Sequence, residues 1–263
     1  MTKGTAGGIG WGEVQREASE LVAAATSRGA VLRLVGSTGI RMHCDPAREL
    51  MEALRRPAKD IDVICPAADR SEVRALFEER GYLVDQEMLV ATEGTRYAFT
   101  RADGIEIDLF VDRLEFCHTL ELRERLGRHA QTIPIEDLLL QKLQIVDQMP
   151  SDLVDTIALI ATHAVGDGDD PETIDRGYVA DLLARDWGFH RTVSSNLAKF
   201  DSRLAHDEVH GLSAETAHVV RERAAALLNV IESAPKALAW KLRAKVGERM
   251  QWWDDVDAER EHY

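Results

Sequence analysis

The chain has 263 residues, with 45% apolar residues, 30% charged residues and a formal net charge of −14. This length predicts one compact domain with a second one appended. The acidic balance argues against nucleic-acid binding over the whole surface, because phosphates would be repelled. The sequence contains no apolar run of about 18 residues and no secretion signal, so neither a membrane span nor export is expected. Three widely spaced cysteines are typical of a reduced, cytoplasmic protein with buried thiols.

The N-terminal half has the pattern of a mixed α/β unit. Residues 1–10 are rich in glycine and lack periodicity, so we expect a disordered tail. Helices are predicted at 12–28, 46–55 and 70–80, with Asp45 and Asp69 as caps of the last two. Strands are predicted at 30–35, 61–65, 82–91, 96–100 and 105–111, with turns at 36–39 and 101–104.

From residue 135 onwards the pattern is helical. Helices are predicted at 136–146, 152–163, 173–187, 191–204, 214–233 and 236–249, and a loop at 166–171. The predicted fold class is therefore α/β (α+β) with a mixed sheet, followed by an α-helical C-terminal domain. The predicted domains are residues 1–134 and 135–263.

The most informative segment is the predicted strand that carries Asp60 and Asp62. Side chains alternate between the faces of a strand, so these two carboxylates should share one face while Ile61 and Val63 enter a core. Two neighbouring carboxylates repel each other, and a divalent cation between them removes that repulsion. Mg²⁺ prefers such oxygen ligands and leaves room for substrate phosphates.

A second acidic strand contains Glu106 and Asp108, which alternate with apolar residues. If it lies beside the first strand, Asp108 can complete a three-carboxylate metal site. Two bound metal ions could then activate an attacking oxygen and stabilise a leaving one. Taken alone, each acidic pair is more typical of a solvated strand face.

The third segment is Gly36-Ser37, which follows the strand at 30–35. Backbone N–H groups and a hydroxyl at the end of a strand can bind phosphate. It is not a Walker loop, since no Gly-Lys-Ser/Thr follows. Alone, a Gly-Ser pair usually marks a simple turn.

In this order, Val35-Gly36-Ser37, Asp60-Ile61-Asp62 and Ile107-Asp108-Leu109 resemble the motifs of the DNA polymerase β-like nucleotidyltransferase superfamily. The resemblance covers residues 30–112. It implies transfer of a nucleoside monophosphate from an NTP such as ATP to an acceptor hydroxyl, with release of pyrophosphate.

The same resemblance implies the roles of individual residues. Asp60, Asp62 and Asp108 would bind Mg²⁺, with Mn²⁺ as an alternative, and Asp108 would help to deprotonate the acceptor. Gly36 and Ser37 would hold the β- and γ-phosphates, and Lys59 would contact phosphate. A solvated surface charge is the other interpretation of Lys59.

A fainter resemblance links the helical region to AbiEii-type nucleotidyltransferases, a group that includes toxins of bacterial toxin–antitoxin systems. Lys142, Asp152 and Asp155 match a lysine on one helix and an Asp-x-x-Asp on the next. Ser151 stands where a basic residue is usual. The resemblance implies that Lys142 and Asp152 help to bind the nucleotide, whereas an ordinary exposed lysine is the alternative for Lys142.

Two functions remain open from the sequence. The first is an active nucleotidyltransferase whose acceptor is a tRNA 3′ end, a small hydroxylated molecule or a protein side chain, with an antitoxin protein as a candidate partner. The second is a catalytically inactive nucleotide-binding or interaction module on the same fold, which the serine at position 151 favours.

Other candidate sites are weaker. The nine histidines form no HExxH motif and no paired zinc spacing, and His163 is predicted to be a core residue. A basic helix at 236–249 could guide an RNA acceptor, but a solvated charged face is the favoured interpretation.

Overall fold

A computed structural model describes residues 10–44, 60–168, 170–205 and 212–255. The predicted tail up to residue 9, the predicted helix 46–55 with its cap Asp45, and Lys59 lie outside these ranges. The described residues divide into two compact units. The first contains 10–42, 60–113 and 121–133, and the second contains 43–44, 114–120 and 134–255. The predicted domain boundary at residue 134 stays a prediction.

The first unit is built on a five-stranded sheet. Its helices are α1 (Trp11–Ser27), α2 (Gly36–His43, whose last residue belongs to the second unit), α3 (Arg70–Glu79) and α4 (Gln86–Ala91). Its strands are β1 (Arg33–Leu34), β2 (Asp60–Cys65), β3 (Leu83–Val84), β4 (Arg96–Thr100) and β5 (Glu106–Val111). The strand order is β1-β2-β5-β4-β3, in which β2 and β5 are parallel and the other neighbours are antiparallel.

The core of this unit follows from two periodicities. Helix α1 buries Val14, Ala18, Leu21, Val22 and Ala25, which recur at the spacing of one helical face. Strands β2 and β5 bury their alternate apolar residues and turn their acidic residues to the other face. The acidic face is therefore the one available for chemistry.

One predicted strand of this unit was wrong. Residues 82–91 form the two-residue strand β3 and then helix α4, because Asp85 caps that helix. Its Oδ1 accepts hydrogen bonds from the N–H groups of Glu87 and Met88 at 2.8 and 3.1 Å. An Asp cap satisfies two N–H groups that a helix start would leave unpaired, so it favours a helix even in an apolar run.

Two smaller expectations also need correction. The predicted turn at 36–39 is the first turn of α2. Asp69 does precede α3, but its side chain does not cap that helix. Instead, its Oδ2 accepts a hydrogen bond of 2.8 Å from the N–H of Val31.

The second unit is largely helical. Its helices are α5 (Ile135–Leu143), α6 (Pro150–Thr162), α7 (Arg176–Leu183), α8 (Trp187–Ala198), α9 (Phe200–Ala205), α10 (Ala214–Ser233) and α11 (Leu238–Val246). Short strands form two small sheets. Strands β6 (Arg113–Glu115) and β7 (Thr119–Glu121), whose outer residues Arg113 and Glu121 belong to the first unit, make one. Strands β8 (Ala164–Gly166) and β9 (Thr173–Asp175) make the other. Together with the mixed sheet, this helical part confirms the predicted fold class.

Two predicted helices of this unit begin elsewhere. The helix expected at 173–187 starts only at Arg176, because residues 173–175 pair in parallel with β8 and Asp175 accepts a hydrogen bond from the N–H of Tyr178. The helix expected at 191–204 starts at Trp187, where Asp186 is the cap, and a second helix, α9, begins at Phe200. Aspartate caps decide both starts.

Two general properties follow from the described residues. Within these ranges every helix is too short or too polar to traverse a lipid bilayer. Cys44, Cys65 and Cys117 are buried and unpaired with one another. Burial raises the pKa of the Cys44 and Cys65 thiols to about 12, so both are protonated at neutral pH.

Candidate functional site

The acidic residues of β2 and β5 lie side by side in the sheet. The parallel register pairs Asp62 with Asp108 and Asp60 with Glu106. Because paired residues of neighbouring strands project to the same face, all four carboxylates share one face of the sheet. Asp60, Asp62 and Asp108 are half-buried, whereas Glu106 is exposed. The structure therefore brings three predicted metal ligands together from segments about 50 residues apart.

An arginine that the sequence analysis missed holds Asp108. Nη2 of Arg96, on the antiparallel neighbour β4, donates a hydrogen bond of 2.9 Å to Oδ2 of Asp108. The two side chains are only 12% and 14% exposed. The guanidinium also lies over the ring of Phe110, at 5.2 Å from its centroid. This arginine neutralises one carboxylate of the acidic face and orients it.

A signal for Arg96 was present in the predicted hairpin. The turn at 101–104 sets a register in which Ala98 faces Asp108 and Arg96 faces Phe110. Arg96 and Ala98 alternate with the buried Tyr97 and Phe99, so Arg96 must project to the acidic face. Carrying the hairpin register through would have placed the cation beside Asp108.

Gly36 lies against the carboxylate of Asp62. Its backbone has φ = +61°, a conformation that favours glycine. A Cβ atom at this position would also lie 2.7 Å from Cγ and 2.9 Å from Cβ of Asp62. Both the backbone conformation and the space therefore require glycine here.

The segment around Gly36 is pinned to β2 by its neighbours. The N–H of Val35 donates to the carbonyl oxygen of Asp62 at 2.9 Å, and the hydroxyl of Thr38 donates to the carbonyl oxygen of Asp60 at 2.9 Å. Ser37 is half-buried in the first turn of α2, which contains no acidic residue. Backbone N–H groups of a first helical turn attract anions, so this turn suits a phosphate beside the acidic strand.

The oxygens of the three aspartates do not yet form a tight ligand set. Among the described residues, His43, His163 and Glu172 of the second unit form a group whose ligand atoms lie within 4.8 Å of one another, and the three aspartates do not. Arg96 bonds Oδ2 of Asp108, so Oδ1 is the oxygen that an ion could share with the other two carboxylates. Carboxylate oxygens on one face are nevertheless the donor set that suits Mg²⁺.

In the second unit, Lys142 is buried and paired with two aspartates. Its Nζ lies 3.1 Å from Oδ1 of Asp152 and 3.0 Å from Oδ2 of Asp155. The Lys142, Asp152 and Asp155 side chains are 10%, 15% and 0% exposed. The alternative of an ordinary exposed lysine is therefore wrong. The nucleotide-binding role of Lys142 and Asp152 stays a prediction.

The basic helix predicted at 236–249 is partly a packed element. The guanidinium of Arg243 lies 4.7 Å from the centroid of the Trp187 ring, and Lys236 lies over Trp240. Lys241, Lys245 and Arg249 are exposed. Only the exposed cations are available for a partner.

Comparisons with known proteins give matches among solved structures only. No protein-family model and no curated protein matches the chain. The chain is similar to the antibiotic-resistance factor ANT(2'')-Ia, with 17% identity, a TM-score of 0.41, and coverage of 77% of this chain and 98% of that one. It is also similar to an antigenic nucleotidyltransferase-like protein from Paracoccidioides brasiliensis, with 13% identity, a TM-score of 0.42, and coverage of 88% and 97%. At these TM-scores, function has to be inferred from the residues of this chain.

Proposed function

We propose that this protein is a Mg²⁺-dependent nucleotidyltransferase that moves a nucleoside monophosphate from an NTP to an acceptor hydroxyl. One observation carries the proposal: the parallel register of β2 and β5 sets Asp62 beside Asp108, with Gly36 and the first turn of α2 against Asp62. The carboxylates that we propose to bind metal and the turn that we propose to bind phosphate are therefore adjacent. Their proximity is what phosphoryl transfer requires, because its catalysis is mainly positioning and neutralisation of charge.

Each residue has a defined part in this proposal. Asp60 and Asp62 hold the cation, and Asp108 joins them and takes up the proton of the acceptor hydroxyl. Bound Mg²⁺ supplies charge neutralisation on the phosphates and polarises the reacting oxygens. Ser37 and the N–H groups of its helical turn hold the terminal phosphates of the donor.

Arg96 has the part of a positioning residue in this scheme. Its hydrogen bond to Oδ2 keeps the Asp108 carboxylate on the acidic face until substrate and cation compete for it.

The acceptor class follows less directly from the structure. The net charge of −14 disfavours a long nucleic acid, and the exposed Lys241, Lys245 and Arg249 offer a local basic surface for an RNA end.

The proposed setting is a reduced, cytoplasmic one, because the three cysteines are buried and unpaired with one another. Candidate acceptors are a tRNA 3′ end, a small hydroxylated molecule and a protein side chain. An antitoxin protein is the candidate partner that the AbiEii-like motif suggests. These finer assignments rest on the sequence motif alone.

Pyrophosphate release tests the proposal directly. The full chain is incubated with Mg²⁺, each NTP and, in separate reactions, bulk tRNA, an aminoglycoside mixture or cell protein. We expect release that requires one of the acceptors. Asp62→Asn should lower the rate by at least about 10²-fold, because it removes a cation-binding charge.

Glu106→Gln is the matched control, since Glu106 lies on the same face but is exposed. It should leave the rate within a few-fold of wild type. Equal rates for Asp62→Asn and Glu106→Gln would contradict the assignment of the site.

A second candidate is an NTP-binding module without transfer activity. The observation that favours it is the ion pair between Arg96 and Asp108, which occupies the proposed catalytic carboxylate. This candidate predicts Mg²⁺-dependent NTP binding, measured by calorimetry, without pyrophosphate release from any NTP and acceptor pair. Acceptor-dependent release would eliminate it.

A further inference from the structure

Three potential metal ligands converge in the second unit, away from the acidic strands in the sequence. His43 is the last residue of α2, His163 directly follows α6, and Glu172 directly precedes β9. One ligand atom from each residue lies within 4.8 Å of the other two. These residues are more than 100 positions apart at the extremes, which is why no zinc-type spacing marked them in the sequence.

The hydrogen bond of the His163 ring leaves its other nitrogen available to bind a metal ion. Nδ1 lies 3.1 Å from the backbone carbonyl oxygen of Glu172. A carbonyl oxygen only accepts, so Nδ1 must carry the proton and donate it. Nε2 then bears the lone pair, and it is buried without a hydrogen-bond partner in the described part of the chain.

This arrangement matches the usual support of a metal-binding histidine. Such a ring commonly donates one N–H to a backbone carbonyl, which fixes its tautomer and leaves the other nitrogen for the ion. His163 is buried, as predicted for a core residue, and its Nε2 has no hydrogen-bond partner among the described residues. A buried polar atom without a partner calls for an explanation, and an ion supplies one.

The other two residues complete a mixed nitrogen and oxygen set. The rings of His43 and His163 have centroids 5.9 Å apart and are nearly perpendicular, at 80°. Oε2 of Glu172 lies 3.6 Å from Nδ1 of His163, so this carboxylate, on a side chain that is 64% exposed, has to turn towards Nε2 to share an ion with it. Glutamate therefore forms the solvent side of the group, where an ion can enter.

Ligand chemistry selects the class of ion. Two imidazoles and one carboxylate are a ligand set of zinc proteins, whereas Mg²⁺ and Ca²⁺ take oxygen ligands. We propose that His43, His163 and Glu172 bind one divalent transition-metal ion, with Zn²⁺ as the preferred occupant and solvent in the remaining position. Its three residues are not among those of the proposed nucleotidyltransferase site, and the proposal does not depend on that function.

Cobalt binding tests the site without an activity assay. The full chain is stripped of metal with a chelator and titrated with Co²⁺, whose visible d–d absorption reports nitrogen-containing, low-coordinate sites. We expect one equivalent of absorbing Co²⁺ per chain, which Zn²⁺ displaces. His43→Asn and Glu172→Gln should each weaken binding more than about tenfold.

Controls separate this site from other metal-binding groups. His218→Asn and Glu215→Gln replace exposed residues of the same types on α10 and should leave the titration unchanged. Asp62→Asn should also leave it unchanged, because Asp62 belongs to the acidic strands of the first unit. Glu172→Gln is the decisive variant, since replacement of an exposed side chain leaves the packing intact.

The outcomes decide the proposal in either direction. Loss of the cobalt signal in both His43→Asn and Glu172→Gln, with circular dichroism of the wild-type form, supports the three-residue site. Absence of the signal in wild type, or its retention in either variant, overturns the site. Loss in Asp62→Asn would move the cobalt site to the acidic strands and also overturn it.

Discussion

Carboxylates cluster in both units, but the two clusters are built differently. On β2 and β5 of the first unit, half-buried aspartates share a face with the exposed Glu106, and Arg96 holds one of them. In the second unit, Asp155 is fully buried and Lys142 bridges it to Asp152. In each cluster a basic side chain pairs with an aspartate, but Asp155 is fully buried whereas the aspartates of β2 and β5 are half-buried. The cost of losing the basic partner should therefore differ between the two clusters, because it rises with the burial of the carboxylate that is left behind.

The largest stability effect is expected in the second unit. Lys142→Met leaves the buried Asp155 without its cation, so the free energy of unfolding should fall by about 3–5 kcal/mol. Urea denaturation, followed by circular dichroism, measures the change. Lys142→Met combined with Asp155→Leu should recover part of the loss, because no buried charge is then uncompensated. If the single variant were as stable as wild type, the second cluster would not be an internal ion pair.

The next largest effect on stability is expected from His118, a buried histidine of the second unit. Burial lowers the pKa of His118 from 6.5 to about 4, although Asp186 and Asp254 oppose the shift. Between these pH values the unfolded chain binds a proton that the folded chain does not. The contribution of the neutral His118 ring to the free energy of unfolding is therefore fully present above pH 6.5. It falls by at most about 3 kcal/mol as the pH drops to about 4.

His118→Gln should make urea midpoints less dependent on pH in that window. The slope should not vanish, because burial also lowers the pKa values of His163 and His190. The exposed His218→Gln is the control and should keep the wild-type pH dependence. A wild-type slope in His118→Gln would show that its ring is accessible to solvent protons in the folded state.

In the first unit, Gly36→Ala tests how closely the first turn of α2 approaches the acidic strand. The alanine would have to keep a positive φ, and its Cβ would overlap the Asp62 carboxylate. We therefore expect the free energy of unfolding to fall by at least about 2 kcal/mol. Gly29→Ala is a matched control. Gly29 also has a positive φ, but nothing lies within 4 Å of its added Cβ. Equal losses in the two variants, measured by urea denaturation, would mean that backbone conformation alone requires glycine at position 36.

Arg96→Met should have the smallest effect on stability, about 2 kcal/mol, because Asp108 regains some solvent where Asp155 cannot. Comparison of its urea midpoint with that of Lys142→Met sharpens the contrast between the clusters. Arg96→Lys should restore part of the loss. If Arg96→Met lowered the free energy of unfolding as much as Lys142→Met does, the two clusters would depend equally on an internal cation. That result would contradict the contrast between them.

The strands that carry the site were predictable because acidic and apolar residues alternate over their first four residues. In β2 and β5 the acidic residues share one face, which Ile64 and Phe110 extend, and β4 was predicted with its observed bounds. Helix α10 was also predicted at its observed bounds. Local periodicity was insufficient at 82–91, where the cap formed by Asp85 outweighed an apolar run, and at 164–166 and 173–175, where short strands pair across a loop.

The sequence by itself determined which residues of β2 and β5 share a face, because the alternation of side chains along a strand is a local property of the backbone. It also determined the apolar face of α1, whose buried residues recur at helical spacing. Only the tertiary structure decided that Asp62 pairs in register with Asp108, that Arg96 reaches Asp108, that Lys142 is buried between two aspartates, and that His43 meets His163 and Glu172. The physical reason is that these contacts join residues distant along the chain, and their geometry depends on packing that no short window of sequence contains.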